Sequence, residues 1–173
     1  TQNVFVGCHS GGGVWTDNAS QYNVAVGNNS MDAALDECSD NVAVGYNALT
    51  ALVGGTSGSQ GEEITAVGYG AGDALTTGDK CTFLGSTTDA GSVDAINQTA
   101  IGYLCTAVDT DNSVTIGGAA VTRVHMSQDA DAVMYADGTI NTSDERFKKD
   151  IEDSDLGLSF INYGNKIPYK NVM

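Results

Sequence analysis

The amino-acid sequence predicts an all-β fold, a parallel β-roll or β-solenoid of about seven coils. A five-residue motif of the form NVAVG occurs seven times, at intervals of 15 to 23 residues. Glycine accounts for 22 of the 173 residues and proline for one, a composition typical of chains with many turns and few packed helices. Stacked coils explain the recurrence, because each copy can cover the apolar face of the next.

Each motif copy is expected to form a short strand that ends at a corner. Apolar or threonine side chains alternate along it with period two, and the glycine permits a backbone conformation closed to other residues. The corner glycines are Gly7, Gly27, Gly45, Gly68, Gly85, Gly102 and Gly117. We expect the residues just before them to stack inside the solenoid, as a column of Val26, Val44, Val67, Leu84, Ile101 and Ile116.

A second, weaker strand is expected after each corner. Small residues followed by an aliphatic residue mark it, and the segments end at Leu35, Leu52 and Leu75. One repeat would then consist of a strand, a corner, a strand and a loop, and the Gly/Ser-rich stretch 53–63 is an insertion of the kind that surface loops tolerate. So thin a coil buries few aliphatic side chains, which favours self-association into a bundle of parallel solenoids.

The motifs NVAVGYNAL and ITAVGYGAG resemble the head repeats of trimeric autotransporter adhesins and of phage tail fibres. The resemblance covers residues 1–122 and implies a left-handed parallel β-roll in a homotrimer. It implies a host cell-surface receptor, for which a glycan is one candidate, and no cofactor.

Charge narrows the classes of partner. The formal net charge is −15, and residues 1–142 contain only two basic side chains, Lys80 and Arg123. An acidic surface of this kind repels nucleic acid and anionic membranes, so neither partner is expected. No apolar run reaches the length of a membrane span, and the start of the sequence lacks the pattern of a signal peptide, so an internal fragment of a longer chain is expected.

Several single features have ordinary structural interpretations beside functional ones. The cysteines are scattered, which predicts free, buried or half-buried thiols and leaves a disulfide as the alternative. The acidic stretches 109–112 and 127–132 are expected to be solvated turns, with calcium binding as the alternative. For His9, His125 and Trp15 we expect packing roles, and no metal site is expected.

Three tyrosines directly follow a corner glycine, namely Tyr46, Tyr69 and Tyr103, while Ser86 occupies that position in one coil. In stacked coils these side chains fall in one column. Packing at a subunit boundary is the favoured role, because tyrosine buries a ring and keeps its hydroxyl in water. Contact with carbohydrate is the alternative.

After Gly117 the motif stops. Residues 123–142 retain apolar alternation and are predicted to be a β connector. From residue 143 the period changes: Phe147 and Ile151 lie four apart, and Thr142 with Glu145 fits a capping box. A short α-helical segment within a separate domain, 143–173, is therefore predicted.

The stretch SDERFKKDI and the following LGLSFINYGNKIPYK resemble the start of the C-terminal intramolecular chaperone of phage tail spikes and fibres, of the endosialidase type. That resemblance implies autoproteolysis by a Ser–Lys dyad. Ser143 would be the nucleophile, Lys148 the general base, and Thr142–Ser143 the bond that is cut. Such a lysine needs a lowered pKa and contact with the serine hydroxyl. The alternative is a helix-capping Ser143 and a solvated Lys148.

The function expected from these resemblances is that of a structural and adhesive segment of a viral tail fibre, assembled in the host cytoplasm and carried on the virion. Catalysis would be limited to one self-cleavage per chain. The head of a bacterial trimeric adhesin is the alternative, and it should continue into coiled-coil heptads. An enzyme that cleaves external glycans ranks third, because no recurring acidic residue suggests a catalytic carboxylate pair.

Overall fold

A computed structural model describes residues 2–13, 20–55 and 61–128. Within these ranges the protein is all-β and contains no helix. The strands coincide with the sequence motifs: β1 Val4–Val6, β2 Val24–Val26, β3 Val42–Val44, β4 Thr65–Val67, β5 Thr82–Leu84, β6 Gln98–Ile101 and β7 Ser113–Ile116. They lie in one compact unit, Thr1–His125.

The strands form one parallel sheet in sequence order, β1 to β7. Equivalent motif positions pair in every step, so Ala25 lies opposite Ala43 and Ala43 opposite Ala66. Parallel neighbours in sequence order require the chain to travel once around between strands. The predicted parallel β-solenoid is therefore confirmed, with about six turns between the first strand and the last.

The second strand predicted after each corner is absent from the described residues. Those segments form turns in which non-glycine residues take left-handed backbone conformations, as Asn29 and Asn47 do with φ of 55° and 57°. A residue with positive φ interrupts extended pairing, so the later part of each coil makes isolated bridges, such as Asp36 with Gly54. Leu35, Leu52 and Leu75 are nevertheless fully buried and contribute to the core.

The side of the strands that faces inward is the reverse of the prediction. The central residue of each motif points into the solenoid, and Ala25, Ala43, Ala66, Phe83 and Ala100 are all 0% exposed. The residues before the glycines, expected inside, face outward: Val26, Val44, Leu84 and Ile116 are exposed, and Val67 and Ile101 are half-buried. The coil is so thin that alanine fills its interior beside the strand.

The two inward phenylalanines lie against glycines. A Cβ added to Gly72 would come within 2.8 Å of the Phe83 ring, and one added to Gly11 within 2.6 Å of the Phe5 ring. A real Cβ tolerates neither approach. The large ring in one wall of the coil thus depends on the absence of a side chain in the other.

The corner glycines share one conformation. In Gly7, Gly27, Gly45, Gly68, Gly85 and Gly102 φ lies between 133° and 144°, and in Gly117 it is 92°. A Cβ on Gly45 would overlap the carbonyl oxygen of Gly68 in the next coil. Glycine at this position therefore permits both the corner and the close stacking of successive coils.

Asparagine side chains connect the first coils. Asn23 and Asn41, both fully buried, precede β2 and β3, and Asn3 precedes β1. Asn23 Oδ1 accepts from the Asn41 backbone N–H at 3.1 Å and from Asn41 Nδ2 at 3.0 Å, and Asn3 Oδ1 accepts from the Asn23 N–H at 2.8 Å. Asn41 Oδ1 in turn accepts from the Ile64 N–H at 2.9 Å. This asparagine ladder pairs the backbone at the point where each coil enters its strand.

Candidate functional site

The outward side of the sheet carries two parallel columns of side chains, which we call the outer sheet face. Because side chains alternate along a strand, the second and fourth motif positions share this face. The first column contains Val4, Val24, Val42, Thr65, Thr82, Thr99 and Val114, and the second Val6, Val26, Val44, Val67, Leu84, Ile101 and Ile116.

This outer sheet face is apolar and accessible in the single chain. Val6, Leu84 and Ile116 are 56%, 48% and 52% exposed. Within the described strands neither column contains a charged residue, although the chain as a whole has a net charge of −15. The face is therefore largely apolar, with Thr65, Thr82 and Thr99 as its polar members, on a protein that is otherwise strongly acidic.

A column of tyrosines lies beyond the corner glycines, next to the outer sheet face. The Tyr46 and Tyr69 rings stack, with centroids 5.5 Å apart and planes inclined by 15°. Both are exposed, as is Tyr103. The predicted column is confirmed for Tyr46 and Tyr69, and the structure adds that their rings stack.

Ser86 and Tyr103 continue this register in the next two coils. The Tyr46 carbonyl accepts from Gly70 N–H at 2.8 Å, and the Tyr69 carbonyl accepts from Thr87 N–H at 2.7 Å. The Ser86 carbonyl accepts from Leu104 N–H at 3.1 Å, which sets Tyr103 one coil beyond Ser86.

All four cysteines lie in the described residues and are free thiols, as predicted. Cys38, Cys81 and Cys105 are buried, whereas Cys8 is exposed, contrary to the expected burial. Burial raises the pKa of the Cys38 thiol to about 11, and it also raises the pKa of Cys81. These two thiols are therefore protonated near neutral pH and are unsuited to nucleophilic or metal-binding roles.

Some acidic side chains in the described coils accept hydrogen bonds from the backbone of a neighbouring coil. Asp111, in the stretch 109–112, accepts from the Ile96 N–H at 2.9 Å, and Asp79 accepts from the Glu62 N–H at 3.1 Å. No cluster of three or more histidine, cysteine or acidic side chains within the described ranges could hold a metal ion. Of the stretch 127–132, only residues 127 and 128 are described.

Two aspartates in neighbouring coils, Asp73 and Asp89, interact with each other. Asp89 accepts from the Ala90 N–H at 2.8 Å and from the Ala74 N–H at 3.3 Å, and its carboxyl group interacts with that of Asp73. Burial, together with the adjacent Asp73, raises the pKa of Asp89 to about 6. Above that pH the ionised Asp89 carboxylate lies against the Asp73 side chain.

Two buried polar groups at the end of the sheet have no hydrogen-bond partner in the described residues. Gln98 begins β6 and Ser113 begins β7, at the positions that asparagine occupies in the first coils. Gln98 Oε1 accepts from the Gly91 N–H at 2.9 Å, but Gln98 Nε2 and Ser113 Oγ are unpaired. The side chains at the first motif position are therefore fully hydrogen-bonded in the coils with asparagine, whereas those of Gln98 and Ser113 are not.

Other predicted sites have mixed outcomes. His9 and His125 are exposed, so the packing role expected for them is wrong. Trp15 lies outside the described residues. So do Thr142, Ser143 and Lys148, the predicted helix and most of the predicted connector, and the Ser–Lys dyad therefore stays a prediction.

Sequence reasoning missed the asparagine ladder. Asn3, Asn23 and Asn41 all stand in the first position of the motif, and that recurrence was the available signal. The apolar residues and the glycine of the motif predict the strand and the corner without the asparagine. The asparagine matters because a stacked side-chain amide can pair with the backbone of two coils at once.

Comparison with known proteins adds no relative: no protein-family model, curated protein or solved structure matches this chain. Among the residues that the structure describes, none belongs to a helix with the length and hydropathy needed to cross a membrane.

Proposed function

We propose that this chain is a segment of a homotrimeric surface fibre, the tail fibre of a bacteriophage, in which the outer sheet faces of three copies pack together. The observation that supports the proposal is the outer sheet face itself. It presents larger aliphatic side chains to solvent than the strands bury inside, which is unfavourable for an isolated chain.

A second copy of the same solenoid is the partner that fits this surface best. The outer columns repeat once per coil, about 4.8 Å apart, and a parallel copy presents the same repeat. Branched side chains at one spacing can then interdigitate along the length of the sheet. Because the columns carry no charge, two acidic chains can approach here with the least repulsion.

An adhesive role for such a fibre follows from where the repeat varies. Motif spacing ranges from 15 to 23 residues while the strands keep their register, so length changes fall in the connecting loops. Loops on a rigid scaffold are the usual place for recognition, and we assign them the host receptor, for which a surface glycan is a candidate. The head of a bacterial trimeric adhesin is the second candidate.

The role proposed for the segment 143–173 is supported by its sequence alone. We assign it to a trimerisation chaperone, with Ser143 as nucleophile and Lys148 as base in a single cleavage after Thr142. Intact mass of a full chain and of its Ser143→Ala variant tests this role. A product ending at Thr142 is expected from the first and not from the second; uncut chains in both would contradict it.

The oligomeric state tests the proposal as a whole. Native mass spectrometry should give three times the mass of one chain, which is 17.8 kDa for a chain that is not cut, as expected for the Ser143→Ala variant. The double variant Val44→Lys/Leu84→Lys should give single chains, because it places charges in the middle of the outer sheet face. The matched control is Val93→Lys, at an exposed valine outside both columns, which should leave the trimer intact. A single-chain mass for the unaltered protein would overturn the proposal.

A further inference from the structure

The tyrosine column contains a gap of one ring. Tyr46, Tyr69, Ser86 and Tyr103 occupy one register position in four successive coils, as the backbone hydrogen bonds between those coils show. Tyr46 covers one face of Tyr69, whereas Ser86 has no ring to cover the other. We call the space beside Ser86, between Tyr69 and Tyr103, the Ser86 slot.

Exposure agrees with an uncovered gap. Tyr46, which stacks on its neighbour, is 46% exposed, while Tyr69 and Tyr103 are 60% and 69% exposed. Two coil spacings separate the backbone positions of Tyr69 and Tyr103, about 10 Å at the usual distance between neighbouring strands. A flat ring in contact with both tyrosines would need only about 7 to 8 Å, so the slot suits a thicker group.

Two acidic side chains, Asp73 and Asp89, lie in the coils that contain Tyr69 and Ser86. Asp73 Oδ2 is 3.1 Å from the position that a Cβ on Gly70 would occupy, and Gly70 directly follows Tyr69. Asp89, in the same coil as Ser86, interacts with Asp73. Two carboxyl groups therefore lie at this corner, and the residues 2–128 around it contain only two basic side chains. A cation placed here relieves the repulsion between them.

We propose that the Ser86 slot binds a quaternary ammonium group between the rings of Tyr69 and Tyr103. A tetrahedral trimethylammonium group midway between them lies about 5 Å from each ring, within the roughly 6 Å range of cation–π attraction. Its thickness fills a gap that a planar ring leaves loose, and its charge is opposite to that of Asp73 and Asp89. This inference rests on the tyrosine column and does not depend on the proposed assembly.

Calorimetric titration of the full chain with choline at low ionic strength tests the site, with 3,3-dimethylbutanol as a neutral probe of the same shape. We expect saturable choline binding in the millimolar range and at least about tenfold weaker binding of the neutral alcohol. Equal binding of the two, or no saturable binding of choline, would overturn the assignment.

Variants locate the site within the column. Tyr69→Leu should weaken choline binding about tenfold, while Tyr22→Leu, at an exposed tyrosine outside the column, should leave it unchanged. Ser86→Tyr should fill the slot and abolish choline binding. Its circular dichroism spectrum, and the number of chains in its assembly by native mass spectrometry, should be those of the unaltered protein. Full binding by Ser86→Tyr would place the ammonium elsewhere and contradict the proposal.

Discussion

The inner and outer sides of the same strands differ in a way opposite to that of most sheets. Inside, the column beside the strands is mainly alanine, with Phe5 and Phe83 as the large exceptions, and its members in β2 to β6 are fully buried. Outside, the strands present valine, leucine and isoleucine, and much of that surface is accessible. A monomeric protein normally places its larger aliphatic residues inward.

The difference shows which constraint acts on each side. Inside, the opposite wall of the coil lies close, so a strand residue can be large only where glycine faces it, as Gly72 faces Phe83. Outside, no residue that the structure describes packs over the strands and limits side-chain size. Large branched residues there favour a surface that is covered by another molecule.

The largest effect on the free energy of unfolding is expected from removing a large side chain from the interior of the solenoid. Phe83→Ala removes a fully buried ring and leaves a cavity, because the backbone of neighbouring coils is held by its own hydrogen bonds. We expect a loss of about 3 to 5 kcal/mol in the free energy of unfolding. Urea unfolding at matched protein concentration measures it. A loss below about 1 kcal/mol would mean that the interior is not packed as the structure has it.

A smaller loss is expected from breaking the asparagine ladder. Asn41→Ala leaves the buried Ile64 N–H and Gly61 carbonyl without their partners, which should cost about 2 to 3 kcal/mol. Asn28→Ala is the control, because it removes an exposed hydrogen bond to the Cys8 N–H that water can replace. If the two variants unfold at the same urea concentration, the ladder contributes no more than a surface contact.

The aspartate pair gives a pH dependence with a defined sign. The folded-state pKa of Asp89 is raised to about 6 from 3.8, so its contribution is most favourable below the lower value and is lost as pH rises to the higher one. Because Asp89 is partly exposed, we expect about 1 to 2 kcal/mol rather than the full linkage value. Asp89→Asn should remove this part of the pH dependence, and exposed Asp94→Asn should not. Parallel stability curves for wild type and Asp89→Asn between pH 4 and 7 would contradict it.

The smallest effect on the stability of the single folded chain is expected from a substitution on the outer sheet face. Val44→Thr keeps the shape of the side chain, and threonine already occupies outer positions in β4 and β5, so the folded chain should lose less than about 0.5 kcal/mol. Its effect should instead appear as a weaker dependence of the unfolding midpoint on protein concentration. Phe83→Ala should keep that dependence. The same concentration dependence in Val44→Thr and wild type would mean that this valine is not at an interface.

The repeated motif predicts the strands, their register and the column that contains Tyr46 and Tyr69, because a fixed glycine imposes one alignment on every coil. The prediction of which strand residues face the interior was wrong. Alternation alone does not distinguish the faces, since a shift by one residue exchanges them, and the larger size of Val26 and Val44 favours the core position that alanine actually occupies. The second strand was wrong because left-handed turns at Asn29 and Asn47 depend on contacts between coils.

Covalent carbene footprinting of the native protein tests the central difference most directly. The reagent labels side chains according to their access to solvent, and mass spectrometry resolves the peptides. If copies of the chain cover the outer sheet face, Val26, Val44 and Leu84 should be labelled far less than the exposed Val93, and all four should be labelled alike after denaturation. Labelling of the outer columns as strong as that of Val93 in the native protein would show that the face is open to water and would contradict the assembly.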